Sequence, residues 1–169
     1  DRIIQPGDLF FQDIYDVSYN GYRTCYYRTF CVGRKPTAKQ KDWHKQCYDW
    51  IYNALSEVKP GATTADAARR LPEAKFFGYP GENWAILSQW GHGIGLTLYE
   101  QPIISRAYSL DDPIVFQKGM TFAIETQMGE EGAGGARLEE MVVVTDNGYE
   151  VMTRWPAEDI TVVSHSLVE

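Results

Sequence analysis

The sequence predicts an α+β domain in which helices cover one face of an antiparallel sheet, and three observations support this. Near the start, two strand-like runs flank Asn20-Gly21, a strong signal for a β-hairpin. Two helical patterns follow. The remainder of the chain returns to strand-like runs separated by glycine-containing turns. At 169 residues, the chain fits a single domain over 1–169.

The hairpin is predicted from Leu9–Val17 and Tyr22–Val32, both rich in apolar and aromatic residues. Alternation along the second run places Cys25 and Tyr27 on one face and Arg28 on the other. For Arg28 we expect an ion pair or a position at a sheet edge. Both faces carry aromatic rings, which indicates that both are partly covered.

The first helix is predicted to begin after Thr37, a suitable cap, because apolar residues recur every three or four positions from Trp43 to Val58. Pro60-Gly61 ends it. A shorter helix follows Thr63-Thr64 and stops before Pro72. The later segments are then an irregular connection over 76–89, a long loop over 100–119, and strands over 94–98, 120–127, 137–144 and 149–154.

Composition argues against several classes of protein. A net charge of -7 without a cluster of Lys and Arg disfavours nucleic acid or an anionic membrane as a partner. No apolar run approaches the roughly 20 residues of a membrane span, and the first residues do not resemble a signal peptide. Three cysteines without metal-type spacing predict reduced thiols and a cytoplasmic protein.

Three groups that bind a proton or a metal organise the candidate site: His92 within Gly91–Leu96, Glu125 and Glu139. They lie too far apart in sequence for one helix, so only a sheet could bring them together. A structural role for His92, or a solvent-facing Glu125, is the simpler alternative. However, Glu125 sits in an apolar run, where a buried carboxylate costs several kcal/mol, roughly, unless it is paired or protonated.

Alternation assigns the neighbouring side chains. Glu139 is predicted to point inward, with Glu140 on a solvated face. Arg137 shares the face of Glu139 and is predicted to bind an anion or to pair with a carboxylate. Cys25 could act with a histidine as a nucleophile, although free cysteine is more often a small buried apolar residue.

Four motifs in register resemble the creatinase/aminopeptidase family, which has the pita-bread fold and includes methionine aminopeptidase, prolidase and creatinase. The motifs are Asn20-Gly21-Tyr22 with Arg28-Thr29-Phe30, Gly91–Leu96 with Glu100 and Pro102, Gly119–Glu125, and Ala136–Val142. The likeness covers nearly the whole chain. It implies a C-terminal part of a pita-bread catalytic domain, with an upstream segment of the same protein to complete it.

The metallopeptidases of this family hold two metal ions with two Asp, one His and two Glu. The resemblance assigns the last three to His92, Glu125 and Glu139. Counting from Gly21 places Ile14 and Cys25 where the two Asp belong, although a β-bulge could bring in Asp13. The family's substrate-contacting His is replaced by Tyr99. The implied substrate-binding residues are Tyr99, Arg137, Cys25, Tyr27 and Asp13.

The missing Asp pair favours the metal-independent branch typified by creatinase. We therefore expect a hydrolase that cleaves a C–N bond in a small polar substrate without a cofactor. Glu125 and Glu139 would be acid–base or cation-binding groups, and their proximity would raise one pKa. One divalent ion (Fe, Zn or Mn) at His92, Glu125 and Glu139 is the alternative, in a divergent peptidase or a lyase resembling the dimethylsulfoniopropionate lyases. A non-catalytic binding module is the third. The family also implies a homodimer.

Overall fold

A computed structural model describes residues 2–84 and 89–164. The strands are β1 (Leu9–Tyr19), β2 (Tyr22–Val32), β3 (Gln89–Gly93), β4 (Glu100–Ser105), β5 (Thr121–Glu130), β6 (Gly134–Val144), β7 (Tyr149–Val151) and β8 (Thr161–Val163). The helices are α1 (Ala38–Leu55) and α2 (Thr64–Ala68), followed by 3-10 turns at Ala74–Phe77 and Glu82–Trp84. Residues 85–88 of the connection predicted over 76–89 lie outside the described residues.

The first hairpin turns at Asn20 and Gly21, as predicted. Both residues have a positive φ, 51° and 85°, which is the conformation of the two central residues of a type I′ turn. The register then slips between Tyr15 and Ser18, where β1 carries one residue more than β2. This β-bulge has a left-handed residue, Asp16, at φ 58°. On the N-terminal side of the bulge, Asp13 lies opposite Tyr27.

The strands form two sheets rather than the single antiparallel sheet that was predicted. One has the order β1-β2-β8, and the other has the order β4-β3-β5-β6-β7. The larger sheet is antiparallel throughout, whereas β8 runs parallel to β2. The Thr29 hydroxyl donates to the Arg137 carbonyl and accepts from the Arg137 backbone N–H, which joins β2 to β6. The two sheets therefore meet beside the candidate site.

Both helices pack on one side of the larger sheet. Thr37 caps α1 through a capping box with Gln40, as the sequence predicted for this position. The buried face of α1 joins a core with alternate residues of β5 and β6, among them Phe122, Ile124 and Leu138. The intervening residues of these strands face the opposite side, which leaves that side for the candidate site. Among the described residues, no helix has the length and apolar composition needed to cross a bilayer.

The predicted loop over 100–119 is wrong at its start, because β4 occupies Glu100–Ser105. Pro102 weakens the strand signal there, since proline cannot donate a ladder hydrogen bond. Proline is nevertheless compatible with this place, because β4 is the edge strand of its sheet. The three-residue strand β8 also went unpredicted, since its signal is too short for alternation to show.

Candidate functional site

The sheet brings His92, Glu125 and Glu139 to the face opposite the helices. His92 in β3 pairs with Ala123 in β5, and Glu125 lies directly across from Glu139 in β6. The Nε2 atom of His92 is 3.9 Å from a carboxyl oxygen of Glu139. Residues that are remote in sequence thus converge through strand pairing, as the spacing of the three groups required.

Glycines on either side of His92 allow this approach. A Cβ atom on Gly91 would come within 2.8 Å of the carbonyl oxygen of Ala123, and one on Gly93 within 2.2 Å of the carbonyl oxygen of Gln101. Side chains at these positions would push β3 away from its neighbours on both sides. The glycine flanks are therefore explained by close backbone packing around His92.

Glu125 is held by two neighbours. The Tyr27 hydroxyl donates a hydrogen bond to its carboxylate, and Arg137 Nη2 donates to the same oxygen at 2.9 Å. Arg137 Nη2 also donates to the Tyr27 oxygen at 2.9 Å, and its guanidinium carbon lies 4.3 Å from the centre of the Tyr27 ring. The predicted carboxylate partner of Arg137 is thus Glu125. Burial and the charge of Glu125 raise the pKa of Tyr27 well above its ordinary value.

A second group is more deeply buried and consists of Cys25, His92 and Glu139. A thiol sulfur, an imidazole nitrogen and a carboxyl oxygen, one from each residue, lie within 4.8 Å of one another. His92 Nδ1 is 3.1 Å from the carbonyl oxygen of Gly93, which only accepts hydrogen bonds. This contact places a proton on Nδ1, so that in the neutral ring Nε2 is the nitrogen with the lone pair. Within 2–84 and 89–164, neither Nε2 nor either carboxyl oxygen of Glu139 has a hydrogen bond of regular geometry, and the Cys25 thiol is a weak donor toward Glu139.

Burial changes the protonation of this group. Desolvation, and then the charge of Glu125, raise the pKa of Glu139 to about 9. The predicted rise at one of two facing carboxylates is therefore found at Glu139, with burial as its larger cause. Desolvation also raises the pKa of the Cys25 thiol far above its ordinary value. Without a bound cation the thiol stays protonated, which argues against a Cys–His nucleophile.

The bulge in β1 decides which residue takes the place of the first Asp. Residue counting gave Ile14, but directly opposed residues of antiparallel strands share a face, and Tyr27 lies opposite Asp13. Asp13 therefore points toward the site and Ile14 points away. The charges of Arg137, Glu125 and His92 act on the Asp13 carboxyl, whose pKa is raised above its ordinary value mainly by burial.

A cleft of about 560 Å³ opens beside these groups. Tyr27, Tyr99, Glu125 and Arg137 line it, whereas Cys25, His92, Glu139 and Asp13 do not. The ring centroid of Tyr99 is 4.2 Å from that of His92, and its side chain is largely exposed at the mouth. Trp90 and Thr126 also line the cleft and were not singled out from the sequence. Their positions next to Gly91 and Glu125 were the only signal for them.

The prediction that Glu140 is solvated is wrong. Glu140 pairs with Ile124 across the strands and so faces α1, where it is buried. Arg28 Nη2 donates to its carboxylate at 2.9 Å, and the Tyr52 hydroxyl donates to the other oxygen at 3.0 Å. The expected ion pair of Arg28 is thus confirmed, and Glu140 is its partner.

Comparison with known proteins supports the same fold. Dipeptidase PepE from Mycobacterium ulcerans superposes with a TM-score of 0.77 at 30% identity, covering 97% of this chain and 42% of that one. Prolidase from Pyrococcus furiosus superposes with a TM-score of 0.72 at 32% identity, covering 92% and 44%. These likenesses define the chain as part of an α+β pita-bread peptidase-type domain and confirm the predicted fold class.

Sequence comparison gives the family. The profile of metallopeptidase family M24 matches residues 1–146. The Xaa-Pro dipeptidase of Pyrococcus furiosus is 32% identical over 159 residues, which are 94% of this chain and 43% of that protein. The chain belongs to metallopeptidase family M24. It spans less than half the length of these relatives, which are named as dipeptidases, so the expected likeness to a hydrolase family is confirmed.

The family implies divalent metal ions, and the buried group fits one of them. An imidazole nitrogen, a carboxyl group and a thiol, all buried and close together, are ligands of divalent zinc or iron. A pair of ions fits less well. One Asp position holds Cys25, and Glu125 is occupied by Tyr27 and Arg137. To bind a pair of ions, Glu125 would have to break its hydrogen bonds with both Tyr27 and Arg137.

Proposed function

We propose that this chain is the catalytic part of a hydrolase that cleaves a C–N bond in a small polar substrate, with one divalent ion held at His92 and Glu139. The observation that carries the proposal is the convergence of His92 Nε2 and the Glu139 carboxyl group, which are both buried and 3.9 Å apart; within the described ranges, the weak thiol donor of Cys25 is what acts on Glu139. Buried polar groups are rarely left unsatisfied unless an ion or water binds them. Iron, zinc and manganese are the candidate ions.

The neighbouring residues have distinct tasks in this proposal. Such an ion, when bound, polarises a carbonyl group and lowers the pKa of water. Arg137 and Tyr99 line the cleft and bind polar and apolar parts of the substrate. Tyr27 and Arg137 orient the Glu125 carboxylate, which accepts a proton from the attacking water and delivers it to the leaving nitrogen. Asp13 lies opposite Tyr27 and supplies a further carboxyl group on this face.

The metal-independent, creatinase-like mechanism expected from the sequence is the second candidate. The raised pKa of Glu139, about 9, supports it, because an un-ionised carboxyl group near neutral pH can donate a proton to the leaving nitrogen. The engagement of Glu125 by Arg137 and Tyr27 supports it as well, since a carboxylate so held is not free to bind metal. A divergent lyase is compatible with the one-ion proposal.

The proposal extends to the protein that carries this chain. The greater length of the relatives supports an upstream segment of the same protein that completes the domain. A homodimer and a cytoplasmic location stay predictions from the family and from the cysteine content. Xaa-Pro dipeptides are the first substrates to test, because the relatives are named for them.

The test is metal content and hydrolysis, measured on the protein that carries this chain, purified without chelator. We expect about one ion per chain by mass spectrometry, lost in His92→Ala and Glu139→Gln together with cleavage of dipeptides or of guanidino and amide compounds. His44→Ala, which removes a buried histidine outside the site, and Glu150→Gln, which removes a carboxylate on β7, are the controls. Both controls should keep the ion.

Three results would overturn the one-ion hydrolase. Two ions per chain would restore the paired site of the metallopeptidases. Metal-free protein with full activity, falling as the pH rises through about 9, would establish the metal-independent mechanism with Glu139 as the acid. Substrate binding without turnover of any compound would leave a binding module.

A further inference from the structure

We propose that Cys25 binds the ion as a thiolate, which completes a Cys–His–Glu centre for a single divalent cation. This inference rests on the proposed one-ion site and adds its third protein ligand. Each ligand comes from a different strand, namely β2, β3 and β6, and the three donor atoms lie within 4.8 Å of one another. All three side chains are at least nine-tenths buried.

The orientation of His92 fits metal binding by this group. The Gly93 carbonyl oxygen fixes the proton on Nδ1, so the lone pair of Nε2 faces Glu139 at 3.9 Å. That distance is too long for a hydrogen bond. Metal-binding histidines commonly have their second nitrogen held by a backbone carbonyl in this way. The imidazole thus offers Nε2 as a ligand while its Nδ1 is held by the Gly93 carbonyl oxygen.

Cys25 and Glu139 supply the charge that a dication needs. In the described part of the chain, the cation nearest the cleft is Arg137, and its Nη2 is already bonded to Glu125 and Tyr27. Binding of the ion would displace both the Sγ proton of Cys25 and the carboxyl proton of Glu139 to solvent, so that the two ligands together would provide two negative charges. The two ligand charges would offset the charge of a dication, and the nearby Glu125 carboxylate adds further negative charge beside the site.

The sulfur also selects the metal. Thiolate ligands favour zinc over manganese or magnesium, which prefer oxygen ligands. A carboxylate in place of Cys25 would shift the site toward the oxygen-preferring metals. The simpler view is that Cys25 only fills space, since it packs against Ile94 and Ala123. The two views predict different behaviour when the sulfur is replaced.

Cobalt substitution distinguishes them, because a thiolate bound to Co²⁺ gives a sulfur-to-metal charge-transfer band in the near ultraviolet. We titrate the apo form of the protein that carries this chain with Co²⁺ and record absorbance and stoichiometry. The wild type should show the band and bind one ion. Cys25→Ser should lose the band and bind cobalt at least about tenfold more weakly, since even outer contacts to a metal ligand are worth about 10–100-fold in affinity.

Cys47→Ser is the matched control, because Cys47 is as deeply buried but lies on α1, away from the site. It should keep the band. Cys25→Asp should bind cobalt without the band and gain affinity for Mn²⁺, and circular dichroism verifies that each variant is folded. A wild-type cobalt complex without the band, or a band that survives in Cys25→Ser, would overturn the inference.

The readout separates this inference from the hydrolase proposal. A charge-transfer band in a protein that cleaves none of the tested compounds would keep Cys25 as a ligand and remove the activity. One ion per chain and full hydrolysis without the band would remove Cys25 as a ligand and keep the hydrolase. Failure to bind any cobalt would overturn both the ligand and the one-ion site.

Discussion

Glu125 and Glu139 have the same side chain and lie opposite each other, yet their surroundings set them apart. Glu125 faces the cleft and is held by Tyr27 and Arg137. Glu139 is fully buried, and its pKa is raised to about 9 by desolvation and by the charge of Glu125. Glu139 therefore keeps its proton near neutral pH unless a cation binds, whereas Glu125 is held in place by its two hydrogen-bond donors.

This raised pKa predicts a pH-dependent stability in chelator-treated protein. The folded state binds the Glu139 proton more tightly than the unfolded state, whose ordinary pKa is 4.5. The stabilising contribution is fully present below pH 4.5 and is lost as the pH rises through about 9. The thermal unfolding midpoint should therefore fall between pH 6 and pH 9 by several degrees more in the wild type than in Glu139→Gln, roughly.

The exposed Glu150→Gln on β7 provides the comparison for that measurement, because it removes a carboxylate without changing a buried one. Its midpoint should follow the wild type across the pH range. Equal slopes for the wild type and Glu139→Gln would show that Glu139 titrates normally in the folded protein.

At the scale of elements, β2 connects the two sheets. One face of β2 sends Tyr27 and Cys25 into the site, and the other sends Arg28 between α1 and the segment before β8. Arg28 donates to the Glu140 carboxylate, to the Trp155 carbonyl at 2.8 Å and to the Pro156 carbonyl at 3.1 Å. A single buried guanidinium thus joins β2, β6 and the C-terminal part of the chain.

Arg28→Ala should therefore lower the free energy of unfolding by about 3–5 kcal/mol, because it leaves the buried Glu140 carboxylate without its cation. Urea unfolding followed by tryptophan fluorescence measures this. The matched change is Arg23→Ala, whose partner Asp16 is solvent-exposed, and it should cost at most about 1 kcal/mol. Similar losses for the two variants would contradict the role given to Arg28.

Local signals were sufficient for the elements whose residues carry a complete pattern. The alternation of β2, the Asn20-Gly21 turn and the Thr37 cap each specify their structure within a few residues, and all three predictions are confirmed. The convergence of His92, Glu125 and Glu139 was also predictable, but only in combination with motif order. Where the pattern was incomplete, the prediction was wrong, as at β4 with its edge proline.

The remaining differences depend on contacts that sequence position does not reveal. Glu140 was expected in solvent because its neighbour faces inward, but α1 and Arg28 cover the other side of β6 as well. The roles of Tyr27 and Arg137 toward Glu125 depend on β2 lying against β6, a pairing of two sheets. Neither alternation nor spacing contains that information.

At the scale of the whole molecule, an apolar surface lies on the first hairpin. Tyr19 and Tyr22 lie opposite each other on one face of the hairpin and are both exposed, and exposed apolar surface of this kind marks interaction sites. We expect the protein that carries this chain to be a homodimer that uses this surface. Light scattering after size exclusion should give twice the chain mass, and one chain mass for the Tyr19→Ser, Tyr22→Ser double variant.

Tyr108→Ser is the control for that experiment, since Tyr108 is equally exposed but lies beyond β4, away from the hairpin. It should remain dimeric. A monomeric wild type would contradict the dimer, and a double variant that stays dimeric would place the interface elsewhere.

The extra residue in β1 has a consequence for comparing this chain with its relatives. An alignment that runs without gaps from Gly21 back along β1 is shifted by one residue for all positions before Ser18. It therefore places Ile14 at the acidic position. The bulge between Tyr15 and Ser18 accommodates the extra residue close to the turn. The residues of β1 before the bulge therefore keep a regular pairing with β2, and Asp13 lies on the face that an acidic ligand would take. A single-residue gap at Val17 would therefore align Asp13 with the first acidic position that the family resemblance implies, and Cys25 would be the one acidic position left without a carboxylate.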